Sequence, residues 1–120
     1  MPSHLLPNLR LRWCALLILG TPASAWAAPA ALSARENFEK HCIDCHGADG
    51  RSQTRLGRKS GAKDLTDTKT MSKLSDADVF KTIKFGRKNN KGEEKMDAFA
   101  DGLSDKEINE LVAFVRTLAK

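Results

Sequence analysis

The chain has 120 residues, room for one small domain and little more. It carries 20 basic and 15 acidic residues, a net charge of +5, with five Phe, two Trp and no Tyr. The basic residues are interleaved with acids and no aromatic stacking platform accompanies them, which argues against nucleic acid as a partner.

Residues 1–12 hold Arg10 and Arg12 and no acid, then come the apolar run "WCALLILG" and the small-residue stretch "TPASAWAAPAA". That order is the three-part pattern of a secretory signal peptide, cut after Ala27 or, in the neighbouring option, after Ala25. The expected organisation is a signal peptide over 1–27 and a single domain over 28–120. An uncleaved anchor is the rival, but the strongly apolar part is only eight residues, against roughly 20 needed to span a bilayer. Pro22 and Pro29 interrupt the remainder, and "LRWC" around Cys14 is a poor lipidation site. Loss of Arg10 and Arg12 leaves 18 basic against 15 acidic residues, a net +3, and Cys42 and Cys45 become the only cysteines. A short exported domain buries a modest core, and a bulky cofactor is a useful supplement to it.

The first predicted helix runs from Ala34 to about Cys45. Ser33 with Glu36 forms a capping box, Phe38 and Cys42 share a face, and Gly47 stops it. Residues 47–74 read as a long polar loop with four glycines, Gly47, Gly50, Gly57 and Gly61, reasonable only if it wraps something large. A second helix starts at the Ser75 cap, with Asp78 at its third position, and ends at Gly86. "RKNNKGEEK" is a charged, turn-rich loop, and "MDAFADG" leads to a third helix capped by Ser104 and Glu107. Ile108, Leu111, Val112, Val115 and Leu118 there follow helical spacing. No segment alternates convincingly as a strand, so the fold class is all-α: two longer terminal helices, a shorter middle one and two loops.

The motif "CIDCH" admits three readings. A thioredoxin-like dithiol needs a strand–helix context with a sheet, which is missing. A zinc site needs four ligands, but His41, Cys42, Cys45 and His46 lie too close along one helix end to close a tetrahedron. Covalent c-type haem attachment needs this spacing: two thiols add across two vinyl groups, and the next residue's imidazole reaches the iron. Haem iron then takes a second axial ligand or keeps an open site. His41 directly precedes Cys42 and cannot swing to the far face, so it is expected near a propionate or solvent. Met71, just ahead of the Ser75 cap, reads as a core plug. Met96, between a charged loop and "DAFADG", is the favoured distal ligand.

"FEKHCIDCHG", "LSDADVFKTIKFG" and "KMDAFADGLSDKEINELVAFVRTL" together resemble class I c-type cytochromes, the small single-haem bacterial kind. The resemblance covers about Ser33 to Leu118, with helix, haem motif, axial Met loop and last helix in the family's order. It implies a cytochrome c fold around one haem c per chain, bound through Cys42 and Cys45 and ligated by His46 and Met96. It also implies that the first and last helices cross near the motif, with Phe38 packed against Phe114 and Val115. Two departures stand out: Asp97 follows the Met where proline is common, and "SGAKDLTD" lacks the proline whose carbonyl commonly orients the axial imidazole. A backbone carbonyl near Lys63 must do that instead.

A His/Met iron has no open position, so the expected function is one-electron transfer by a periplasmic carrier that is not an enzyme. Two alternatives remain: a haem c subunit of a larger dehydrogenase or oxidase complex, and a haem sensor whose Met96 bond opens to a small ligand. Leu56, Leu65, Phe80, Phe85, Phe99 and Ile108 are candidate pocket walls, Leu65 and Phe99 foremost. Lys59, Lys63, Lys84, Arg87, Lys88, Lys91 and Lys95 are candidates for a basic rim that steers an acidic redox partner.

Overall fold

A computed structural model describes residues 30–120; the signal-peptide reading of residues 1–27 lies outside them. The chain forms α1 (Ala34–His41), α2 (Ile43–His46), α3 (Arg55–Ser60), α4 (Thr68–Met71), α5 (Asp76–Phe85), β1 (Arg87–Lys88), β2 (Glu94–Met96) and α6 (Asp105–Leu118).

The three long helices begin where local chemistry dictates. Ser33, Ser75 and Ser104 each accept a hydrogen bond from the third helical N–H, and Glu36, Asp78 and Glu107 reach back to the cap N–H. These reciprocal bonds satisfy donors that the helix itself cannot. Helix α6 turns Ile108, Leu111, Val112 and Val115 inward at spacings of three and four, and all four are buried. Each such burial contributes about 1.5–3 kcal/mol. Helices α1 and α5 both pack on α6. Phe38 of α1 meets Phe114 of α6 with ring centroids 5.3 Å apart and planes tilted 54°, the contact that the resemblance implied.

Three expectations need correction. The first helix does not run unbroken to Cys45. Cys42, at φ −118°, widens the turn, so that α1 stops at His41 and α2 carries the rest of the motif. Residues 47–74 are not simply loop, because Thr54 caps α3 and Asp67 caps α4. "RKNNKGEEK" is not a plain loop either. It contains most of an antiparallel hairpin in which Arg87 pairs with Met96 and Lys88 with Glu94, across an irregularity between Arg87 and Lys88. Strands of two and three residues are too short to show alternation in sequence.

The core gathers Phe38, Leu65, Met71, Val79, Ile83, Leu103 and the inward face of α6. Arg116 ties three elements together. Its guanidinium donates to the carbonyls of Met71 (2.7 Å) and Leu74 (2.5 Å) and to Asp76 (2.8 Å), so the end of α4 and the start of α5 are held against α6.

Candidate functional site

The two halves of the motif reach the site through different local devices. Helix α2 presents Cys45 and His46, with Cys42 at its N-terminal edge. Thr54 locks α3 against it. The Thr54 hydroxyl is shared between the carbonyls of Asp44 (2.7 Å) and Cys45 (2.9 Å) and accepts from the Gly57 N–H (2.8 Å). A Cβ on Gly57 would collide with the Cys45 carbonyl oxygen, so this close approach requires glycine.

His46 is oriented by backbone. Its Nδ1 lies 3.2 Å from the Lys63 carbonyl oxygen and 3.0 Å from Ser52 Oγ. A carbonyl can only accept, so Nδ1 carries the proton and Nε2 keeps its lone pair. Burial is the main cause that holds the imidazole below its ordinary pKa, and the nearby Arg87 charge acts the same way against the Lys63 bond. The ring is therefore neutral near pH 7, the state a metal ligand needs. The carbonyl expected near Lys63 is that of Lys63 itself.

Met96 comes to the site at the end of β2. The residues after it are pinned to α5: Phe99 N–H donates to the Ile83 carbonyl and Ala100 N–H to that of Lys84, both at 3.1 Å. Gly86, at φ 71°, ends α5 so closely that a Cβ would strike the Met96 carbonyl. The hairpin on one side and these bonds on the other restrain the segment in which Asp97 stands where proline is common.

One cavity of about 370 Å³ brings the motif and the distal candidate together. Cys42, Cys45, His46 and Met96 all line it, with Phe38, Leu56, Leu65, Leu74, Val79, Ile83, Phe99, Leu111 and Val115 among its apolar walls. Leu65 and Phe99, the foremost wall candidates, are both on this lining. Phe80, Phe85 and Ile108 do not line the cavity: Ile108 is core, Phe80 packs against that core, and Phe85 is 66% exposed. Met71 is a core side chain, as read, and also touches the cavity. His41 is half-buried on the cavity wall, edge-on to Phe99 with centroids 5.5 Å apart. Of the basic residues, Lys59, Lys63, Arg87 and Lys95 line the cavity, and Lys84, Lys88 and Lys91 do not. Lys84 pairs with Asp105 at 2.7 Å and Lys95 with Glu93 at 3.2 Å.

Burial, with Cys45 beside it, pushes the Cys42 thiol up to about 11. A redox dithiol needs a low-pKa nucleophile, and this is the opposite environment. Among the described residues no group of three or more His, Cys, Asp or Glu is arranged to hold a metal ion.

Residues 29–115 match the family described as cytochrome c oxidase, cbb3-type, subunit III. The chain belongs to this family. It is a small c-type cytochrome, and its cofactor is covalently bound haem c. No curated protein matches the cytochrome in sequence. A solved structure of the KustC0563 c-type cytochrome is 31% identical, with a TM-score of 0.66 over 74% of this chain and 100% of that one. A tyrosine-to-phenylalanine mutant of that protein is 32% identical, with a TM-score of 0.64 over 72% and 99%. The cavity fits the cofactor by its donor set: two adjacent thiols, a neutral imidazole with Nε2 free, a thioether and largely apolar walls. Sequence reasoning passed over Ser52 and Thr54, which hold the motif from below. A threonine three residues before Gly57 was a readable cap signal. Nothing local marked Ser52.

Proposed function

We propose that this cytochrome is a periplasmic one-electron carrier, with haem c attached at Cys42 and Cys45 and His46 and Met96 as its axial ligands. The observation that carries the reading is the shared cavity, whose lining includes both cysteines, a His46 ring with Nε2 free and Met96 from fifty residues later. When bound, the haem supplies a one-electron iron couple, and thioether ligation raises its potential. The chain's own part is restraint. The Lys63 carbonyl fixes one candidate ligand, the hairpin and α5 fix the other, and apolar walls exclude water. Such a site changes shape little between oxidation states.

Export is supported by the signal-peptide pattern and by a family match that begins at residue 29, just past the expected cut. Among the described residues no helix is long and apolar enough to cross a membrane. The mass of protein expressed with its own leader tests the proposal. A chain starting near Ala28 plus one haem is expected, and an unmodified full-length mass would contradict it.

The family's description favours a second reading, a haem subunit docked in an oxidase-like complex. The solved c-type cytochrome is matched along the whole length of its chain, with no oxidase named in its description. Stable co-purification with other respiratory subunits would support the second reading, and recovery as a free protein the first.

A further inference from the structure

Ser52 has a backbone that serine rarely adopts. Its φ is 58°, and among the described residues it is the one non-glycine at positive φ. Glycine occupies that region at no steric cost, so a side chain kept there needs a reason. Ser52 is 7% exposed, so its hydroxyl cannot simply turn to water. Its N–H donates to the His46 carbonyl at 2.8 Å, which fixes it to the very residue it faces. Its Oγ lies 3.0 Å from His46 Nδ1 and donates to the Lys63 carbonyl. One carbonyl therefore serves two donors, the Ser52 hydroxyl and, at 3.2 Å, the His46 N–H.

We propose that the Ser52 hydroxyl is a positioning group for His46 and, through that ring, raises the reduction potential of the iron. The inference rests on the reading of His46 as an axial ligand. A strong bond from Nδ1–H to a carbonyl makes the imidazole a better electron donor, which favours ferric iron. The hydroxyl draws on the same carbonyl and weakens that bond, so the ring donates less. Where the hydroxyl itself accepts from Nδ1–H, at 3.0 Å, it replaces the carbonyl by a weaker acceptor, so the ring again donates less while its plane stays fixed.

The test is the midpoint potential of the holoprotein in Ser52→Ala and Ser52→Gly, with absorption spectra in both redox states. Both variants lose the hydroxyl, but only Ser52→Gly relieves the backbone strain, so a variant that failed to fold would leave the other to report. Both are expected to shift to lower potential while they keep a low-spin spectrum. An unmoved or raised potential in a low-spin variant would overturn the role of Ser52 and leave the ligand reading intact. A wild-type spectrum without His/Met character would overturn both.

Discussion

Met96 is held by its backbone neighbours more than by its own side chain, which is only half-buried. That makes Gly86 a sensitive position. Gly86→Ala would place a Cβ against the Met96 carbonyl at a φ that L side chains rarely adopt. Stability should fall by more than ~1 kcal/mol, read by chemical denaturation of the holoprotein, and the segment that carries Met96 should loosen with it. Leu111 is 1% exposed and lies on both the core and the cavity wall. Leu111→Ala should cost about 2–5 kcal/mol, because the space left cannot refill from α6 alone. A loss below ~1 kcal/mol would mean that the cavity collapses around it.

At the level of elements, the capping boxes give a pH signature. Hydrogen bonds from the Ser104 N–H and hydroxyl hold the Glu107 carboxyl below its ordinary value of 4.5. A carboxylate depressed on folding stabilises the fold above its unfolded pKa and loses that contribution as pH falls through the lower, folded one. Stability should therefore decline below about pH 4.5, and Glu107→Gln should flatten part of that decline in pH-dependent denaturation curves. An equal slope in both proteins would count against the box. Arg116 is the second element-scale test. It donates to two carbonyls and a carboxylate between the end of α4 and the start of α5, so Arg116→Ala should cost about 1.5–3 kcal/mol in thermal unfolding.

What the sequence disclosed follows the same division of scale. The caps at Ser33, Ser75 and Ser104 were legible because a capping box is complete within four residues. The haem motif was legible because its chemistry dictates its spacing, and α6 because burial repeats with the helical period. The hairpin was not legible, since β1 and β2 are charged and too short to alternate. They are secured from outside, where Arg87 donates to the Ser60 and Gly61 carbonyls at the end of α3. Helices α3 and α4 hid for a related reason: six and four residues show no period. Ser52 and Arg116 looked like ordinary polar residues because their partners lie six to forty-five positions away.

For the whole molecule, the charge distribution is the property that partners meet. Lys59, Lys63, Arg87 and Lys95 surround the cavity that also holds the motif. If they steer an acidic redox partner, its electron-transfer rate should fall several-fold as ionic strength rises from about 0.01 to 0.15 M. A flat response in stopped-flow measurements would reject steering. The central claim is that His46 and Met96 hold one iron between them. The oxidised protein's far-red sulfur–iron absorption band tests it most directly, recorded for wild type, Met96→Ala and Met71→Ala. The band should be present in wild type, absent in Met96→Ala and retained in Met71→Ala. A wild-type protein without the band, or one that loses it through Met71 and keeps it without Met96, would contradict the account.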